Sequence, residues 1–301
     1  MYNDRPSAKH MVLTLAGWAV GLLAVAGVMV AISTAMAPKT PSDKLPAAVE
    51  TTATATAAVV ATMVAPPVAT PTVPAPTPAP AAKRSSASTK PLAGKVVVID
   101  AGHQAFGDSS VEPIGPGSPT RKAKVSGGAS GVTTHNAESL VNLQVARRLQ
   151  EELVSRGAKV VMVRTKQAVN ISNSKRASIA NNAHADLFIR LHCDGNSDRS
   201  LSGLSTLVPG ANKWTKPIVA KSKKAGVFIH DAVISETGAV DRGVVTRNDL
   251  SGFNWSKVPT VLVEMGFLSN PAEDVKLSTM AYQLSLATGL ANGIEKYLTA
   301  K

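Results

Sequence analysis

The C-terminal two-thirds of the chain alternates between short apolar runs and longer amphipathic stretches. Lys95 to Asp100 is a brief β-branched run and predicts a buried strand. Lys159 to Arg164, Asp186 to Leu191, Gly203 to Val208 and Pro259 to Glu264 predict further strands. Glu138 to Arg156 predicts a helix, because Leu140, Leu143, Ala146, Leu149 and Leu153 recur at three- and four-residue steps. Gly157 supplies its stop. Ser174 to Ala183 predicts a short helix, and Thr215 to Thr237 a longer one. In Asn270-Pro271-Ala272-Glu273, Asn as cap, Pro at the first position and Glu at the third mark another helix start. A last helix is expected from about Thr279 to Leu298. Residues 104 to 135 are rich in Gly, Ser and Pro and predict a long loop, a feature that in compact domains is functional or disordered. Strands alternating with helices predict an α/β fold, with a central, mostly parallel sheet flanked by helices on both faces.

The first ninety residues have a different pattern. Met11 to Met36 contains no charged residue and is long enough to cross a bilayer as a helix. Arg5 and Lys9 precede it, which places residues 1–10 in the cytoplasm and the rest outside. The alternative is a cleaved signal peptide ending at Ala35-Met36-Ala37. Against cleavage, the apolar run exceeds the usual signal length and Pro38 would sit just after the cut. Both readings export the C-terminal domain, to the outer side of the cell membrane or to the cell wall. Residues 38–91 are rich in Pro, Ala and Thr, with few large apolar groups to bury, and predict a disordered, extended spacer. Residues 92–301 then form the expected folded domain.

Charge and cysteine content narrow the setting. The net charge is +12, yet aromatic residues make up only 4% of the 301 residues and do not interleave with the basic ones, which argues against nucleic acid. An exported cation-rich chain meets anionic polymers or lipid head groups, unless the charge serves only solubility. With one cysteine, Cys193, the fold cannot rest on an internal disulfide.

Candidate chemistry gathers where strands end. His103 follows the first strand in Asp100-Ala101-Gly102-His103, and Gly102 permits a tight turn there. His192 holds the equivalent place after its own strand. Ligands of open α/β sheets bind at the carboxyl ends of strands. Two histidines and a carboxylate bind zinc and leave a position for water. Glu138 opens its helix, where an acidic side chain also complements the macrodipole, and His135 competes with it as third ligand. His184 and His230 fall inside predicted helices and read as ordinary polar positions. Asp100 either orients a ligand or caps a turn. Glu264 ends Val261-Leu262-Val263; a carboxylate in so apolar a run is either a general base with a raised pKa or half of an ion pair. Cys193 points to the opposite strand face from His192, so the two form no dyad. No G-x-S-x-G elbow occurs.

In order and spacing, several blocks of residues 94–300 together resemble the zinc-dependent N-acetylmuramoyl-L-alanine amidases. These are VVVIDAGH, NAESLVNLQVARRLQEELVSRGAKVVMVRT, RASIANNAHADLFIRLHCDG, DRGVVTR, and VPTVLVEMGFLSNPAED with YQLSLATGLANGIEKYL. The resemblance implies that His103, Glu138 and His192 hold Zn2+ and that Glu264 is the catalytic acid/base. It thereby selects Glu138 over His135. It also implies peptidoglycan as substrate, cut at the amide between N-acetylmuramic acid and L-alanine. Cys193-Asp194 departs from the more usual Ala-Asn pair. Two other readings stand beside this one: an exported zinc peptidase or deacylase acting on another amide, and a catalytically silent wall-binding module of the same fold.

Overall fold

The computed structural model describes residues 90–300. The expected cytoplasmic segment, the apolar run over 11–36 and nearly all of the 38–91 spacer lie outside the described residues. Among those described, no helix is long and apolar enough to cross a membrane.

In chain order the strands are β1 (Val96–Ala101), β2 (Asp108–Pro113), β3 (Arg121–Val125), β4 (Lys159–Met162), β5 (Leu187–Asp194), β6 (Leu204–Pro209), β7 (Asp241–Arg247) and β8 (Thr260–Phe267). The helices are α1 (Glu138–Ser155), α2 (Asn173–Asn182), α3 (Val219–Thr237), α4 (Ser251–Asn254), α5 (Pro271–Leu277) and α6 (Met280–Thr299). Six strands form one sheet in the order β4-β1-β5-β8-β6-β7. Every pairing in it is parallel except that of β6 with β8.

Strand alternation divides the sheet chemically. Odd-numbered positions such as Val97, Ile99, Ile189, Leu191 and Val263 pack with α1, α3 and α6 into the main core. Even-numbered Val98 and Phe188 meet Ala177 and Ala180 of α2, while Leu262 meets Phe253 of α4. Fully burying a side chain such as Phe188 stabilises the fold by roughly 1.5–3 kcal/mol. Helices therefore cover both faces, as expected, but unequally.

Three expectations change. Residues 104–135 are not a structureless loop: β2 and β3 pair there as an antiparallel hairpin. Strand β7 and helix α4 escaped the pattern reading, because β7 is an edge strand with no fully buried position and α4 is a single turn. Strands β5 and β8 run past His192 and Glu264, which lie inside strands rather than beyond them. The helix start at Asn270 is as predicted, its side chain accepting from the amides of Ala272 and Glu273.

Candidate metal centre

His103, Glu138 and His192 converge from three separate elements. His103 follows β1, Glu138 is the first residue of α1, and His192 is in β5. One ligand atom from each lies within 4.8 Å of the others. Glu138 Oε1 is 3.1 Å from His103 Nε2 and 3.1 Å from His192 Nδ1. The two imidazoles stand edge to face, 4.7 Å between centroids. His135 is exposed and is not among the three residues that cluster.

Hydrogen bonds fix the orientation of each group. His103 Nδ1 is 2.9 Å from the Ser126 carbonyl, which can only accept, so the proton is on Nδ1. Nε2 then turns a lone pair toward Glu138. A lone pair and a carboxylate oxygen at 3.1 Å repel unless a cation or a further proton lies between them. Two ligand atoms on one tetrahedral zinc stand about 3.3 Å apart, given bonds of about 2.0–2.1 Å. The donor set and the two spacings to Glu138 thus fit zinc. Glu138 is held on both oxygens: Oε1 accepts from Cys193 N at 3.0 Å and Asn142 Nδ2 at 3.2 Å, and Oε2 from Ala129 N at 2.8 Å. Burial would raise its pKa, but the two imidazoles outweigh that and hold it well below the usual carboxylate range. Burial drives the His192 pKa down to about 4, leaving the ring neutral as a ligand must be.

Gly102 serves a different purpose from the one expected. The left-handed turn is at His103 itself, with φ 57°. Gly102 is needed because a Cβ there would collide with the His192 ring.

Glu264 is the register partner of His192 on the neighbouring strand, so both side chains project from one face. Its buried Oε2 has no hydrogen-bond or ion-pair partner among the described residues. Burial, then the charges of Glu138 and Asp194, push its pKa well above the ordinary value. It lines a cavity of about 450 Å3 together with His103, His192, Lys122 and Arg247. The hairpin forms one wall of that cavity and is tied down around its length. Trp255 Nε1 donates to Pro113 O at 2.9 Å, Trp214 Nε1 to Pro116 O at 2.8 Å, and Lys122 Nζ to Asp249 O at 2.7 Å.

Asp100 neither orients a metal ligand directly nor caps a turn. It lies wholly buried between Arg176 Nη1 at 2.6 Å and Arg190 Nε at 2.9 Å. Burial would raise its pKa, but the two guanidiniums hold it well below the carboxylate range. Cys193 belongs to the main core, and burial raises its thiol pKa well above the ordinary value, so it is no nucleophile. His230 is buried between Thr206 Oγ1 at 3.1 Å and Asp241 Oδ1 at 2.8 Å. Sequence reasoning missed Asn142, although its place one helical turn after Glu138 was a readable signal. The arginines around Asp100 gave no such signal.

Residues 97–296 match the sequence profile of a family described as N-acetylmuramoyl-L-alanine amidase. The amidase LytC of Bacillus subtilis is 29% identical over 72% of this chain, which spans 38% of LytC. The amidase Rv3717 of Mycobacterium tuberculosis is 27% identical, over 72% of this chain and 92% of its own length. Among solved structures, the N-acetylmuramoyl-L-alanine amidase of Clostridium difficile 630 superposes with a TM-score of 0.57 at 28% identity, covering 70% of this chain and 99% of its own.

Proposed function

This chain belongs to the N-acetylmuramoyl-L-alanine amidase family, and on that premise we propose how its own residues hydrolyse the amide between N-acetylmuramic acid and L-alanine in peptidoglycan. His103, Glu138 and His192 would hold a zinc ion. Zinc there supplies a Lewis acid that polarises the scissile carbonyl and acidifies a water. Glu264 accepts the proton of the attacking water and passes it to the nitrogen of the departing L-alanine. The buried, unpartnered Oε2 of a side chain that lines the cavity is the observation that carries this role. A raised carboxyl pKa suits both halves of the task, since the group must take a proton and then give it up. Around it, the Glu138 bonds to Cys193 N and Ala129 N keep the third ligand from rotating.

Function outside the membrane is part of the same reading. It is supported by the uncharged run from Met11 to Met36, preceded by Arg5 and Lys9, and by the Pro-rich spacer after it. The spacer gives the catalytic domain reach into a wall above the lipid.

The test is metal content and end-group analysis on the full chain. Peptidoglycan treated with the zinc-loaded protein should release new L-alanine amino termini, with about one zinc per chain, as three ligands around an open position require. A chelator should stop the release and zinc should restore it. Release of reducing sugar ends or of other amino termini instead would reject the assigned bond.

A further inference from the structure

We propose that Arg164 and Arg176 form a guanidinium brace that presets how the backbone bearing His103 faces the backbone bearing Glu138, and thereby sets the affinity of the site for its metal. The proposal rests on the metal-centre reading above.

The brace is visible in the carbonyl oxygens of residues 101 to 103. Ala101 O accepts from Arg164 Nε at 2.8 Å and from Arg176 Nη1 at 3.1 Å. Gly102 O accepts from Arg164 Nη2 at 2.9 Å, and His103 O from Arg176 Nη2 at 3.0 Å. Two guanidiniums thus take up every carbonyl of the turn that carries the first ligand. That turn needs holding, because His103 adopts the left-handed backbone that a residue with a Cβ disfavours.

Arg164 does more than fix one turn. The same Nη2 that binds Gly102 O also donates to Ser139 O at 2.7 Å. Ser139 is the residue after Glu138. One planar, rigid group therefore ties the segment before the first ligand to the segment after the second. A guanidinium suits this task because its donors diverge at fixed angles, whereas an ammonium is a single flexible point.

The surroundings of Arg164 argue that the arrangement serves the site. It is 2% exposed. Among the described residues it bonds only to uncharged oxygens, its remaining acceptors being Lys166 O and Gln167 Oε1. Burial, then the nearby charge of Arg176, lowers its pKa to about 10, so it stays cationic at neutral pH. A buried charge without a carboxylate is an expensive way to stabilise a fold. Arg176 differs in resting on Asp100. Neither arginine bonds to a ligand side chain, so both are positioning residues.

The test is zinc affinity, measured on the full chain by competition with a chromophoric chelator, alongside the melting temperature of the metal-free protein. Arg164→Lys and Arg176→Lys should each weaken zinc binding about tenfold or more, the lower end of what outer groups around a metal contribute. At saturating zinc both should still reach wild-type occupancy. Arg156→Lys, whose guanidinium pairs with Glu152 and Glu295, should leave affinity unchanged. If either brace variant melts at a lower temperature yet binds zinc as tightly as wild type, the arginines only hold the fold and the proposal is overturned. Should one variant fail to fold, the zinc affinity of the other decides. Weak zinc binding by wild type, no tighter than by His103→Ala, would overturn the metal centre itself and the brace with it.

Discussion

Two carboxylates project from the same face of the sheet, two strands apart, and the structure treats them oppositely. Asp100 on β1 is fully buried and bound on both oxygens by guanidiniums. Glu264 on β8 has a buried oxygen with no hydrogen-bond partner among the described residues. Asp100 is held ionised and Glu264 is pushed toward its neutral form. The floor of the site is thus electrostatically saturated, and its working edge is left unsatisfied. A buried polar group without a partner costs stability, and such groups persist where they do chemistry.

The sharpest way to break this contrast is Asp100→Asn. It leaves Arg176 and Arg190 without their counter-charge, and breaking a buried pair in that way costs about 3–5 kcal/mol. Urea unfolding of the metal-free protein at pH 7 measures it; a loss no larger than that of a surface pair would mean that the floor is not saturated as described.

Titration gives the next largest effect. The folded pKa of Asp100 lies below its unfolded value, so its stabilising contribution is present above the unfolded pKa and is lost as pH falls through the carboxylate range. Glu264 has the opposite sign. Its folded pKa is raised, so its contribution is present at low pH and is lost as pH rises. Metal-free Glu264→Gln should therefore be as stable as wild type at pH 4 and more stable at pH 7, by roughly 0.5–2 kcal/mol, the usual gain when a strained functional group is removed. Equal destabilisation by both substitutions would erase the distinction between floor and edge.

The smallest effect is expected on the hairpin wall. Lys122 and Asp249 are both nearly half exposed, so Lys122→Ala should cost less than about 1 kcal/mol in the same unfolding assay. A larger loss would mean that the hairpin depends on this one pair rather than on its several tethers.

How much of this could be read from the chain follows from the range of each interaction. The strands and helices of the main core announce themselves by apolar period, and of the residues that the ordered blocks marked, His103, His192 and Glu264 line one cavity while Glu138 contacts both histidines. The ends of β5 and β8 were read too early, because Cys193-Asp194 and Met265-Gly266-Phe267 continue the strands past the residues that looked terminal. The hairpin was missed because β2 and β3 are short and mainly polar, and bonds from distant residues hold them in place. Arg164 meets Gly102 across 62 residues of sequence and Arg176 meets Asp100 across 76, separations at which no local pattern operates.

The central claim is that an unpaired Glu264 beside the metal cluster moves the proton in amide hydrolysis. The direct measurement is turnover of peptidoglycan by Glu264→Gln together with its zinc content. The account predicts wild-type zinc and a rate of L-alanine amino-terminus release lowered about 100- to 10,000-fold, the range contributed by a positioned acid/base. A variant that keeps both its zinc and the wild-type rate would contradict it.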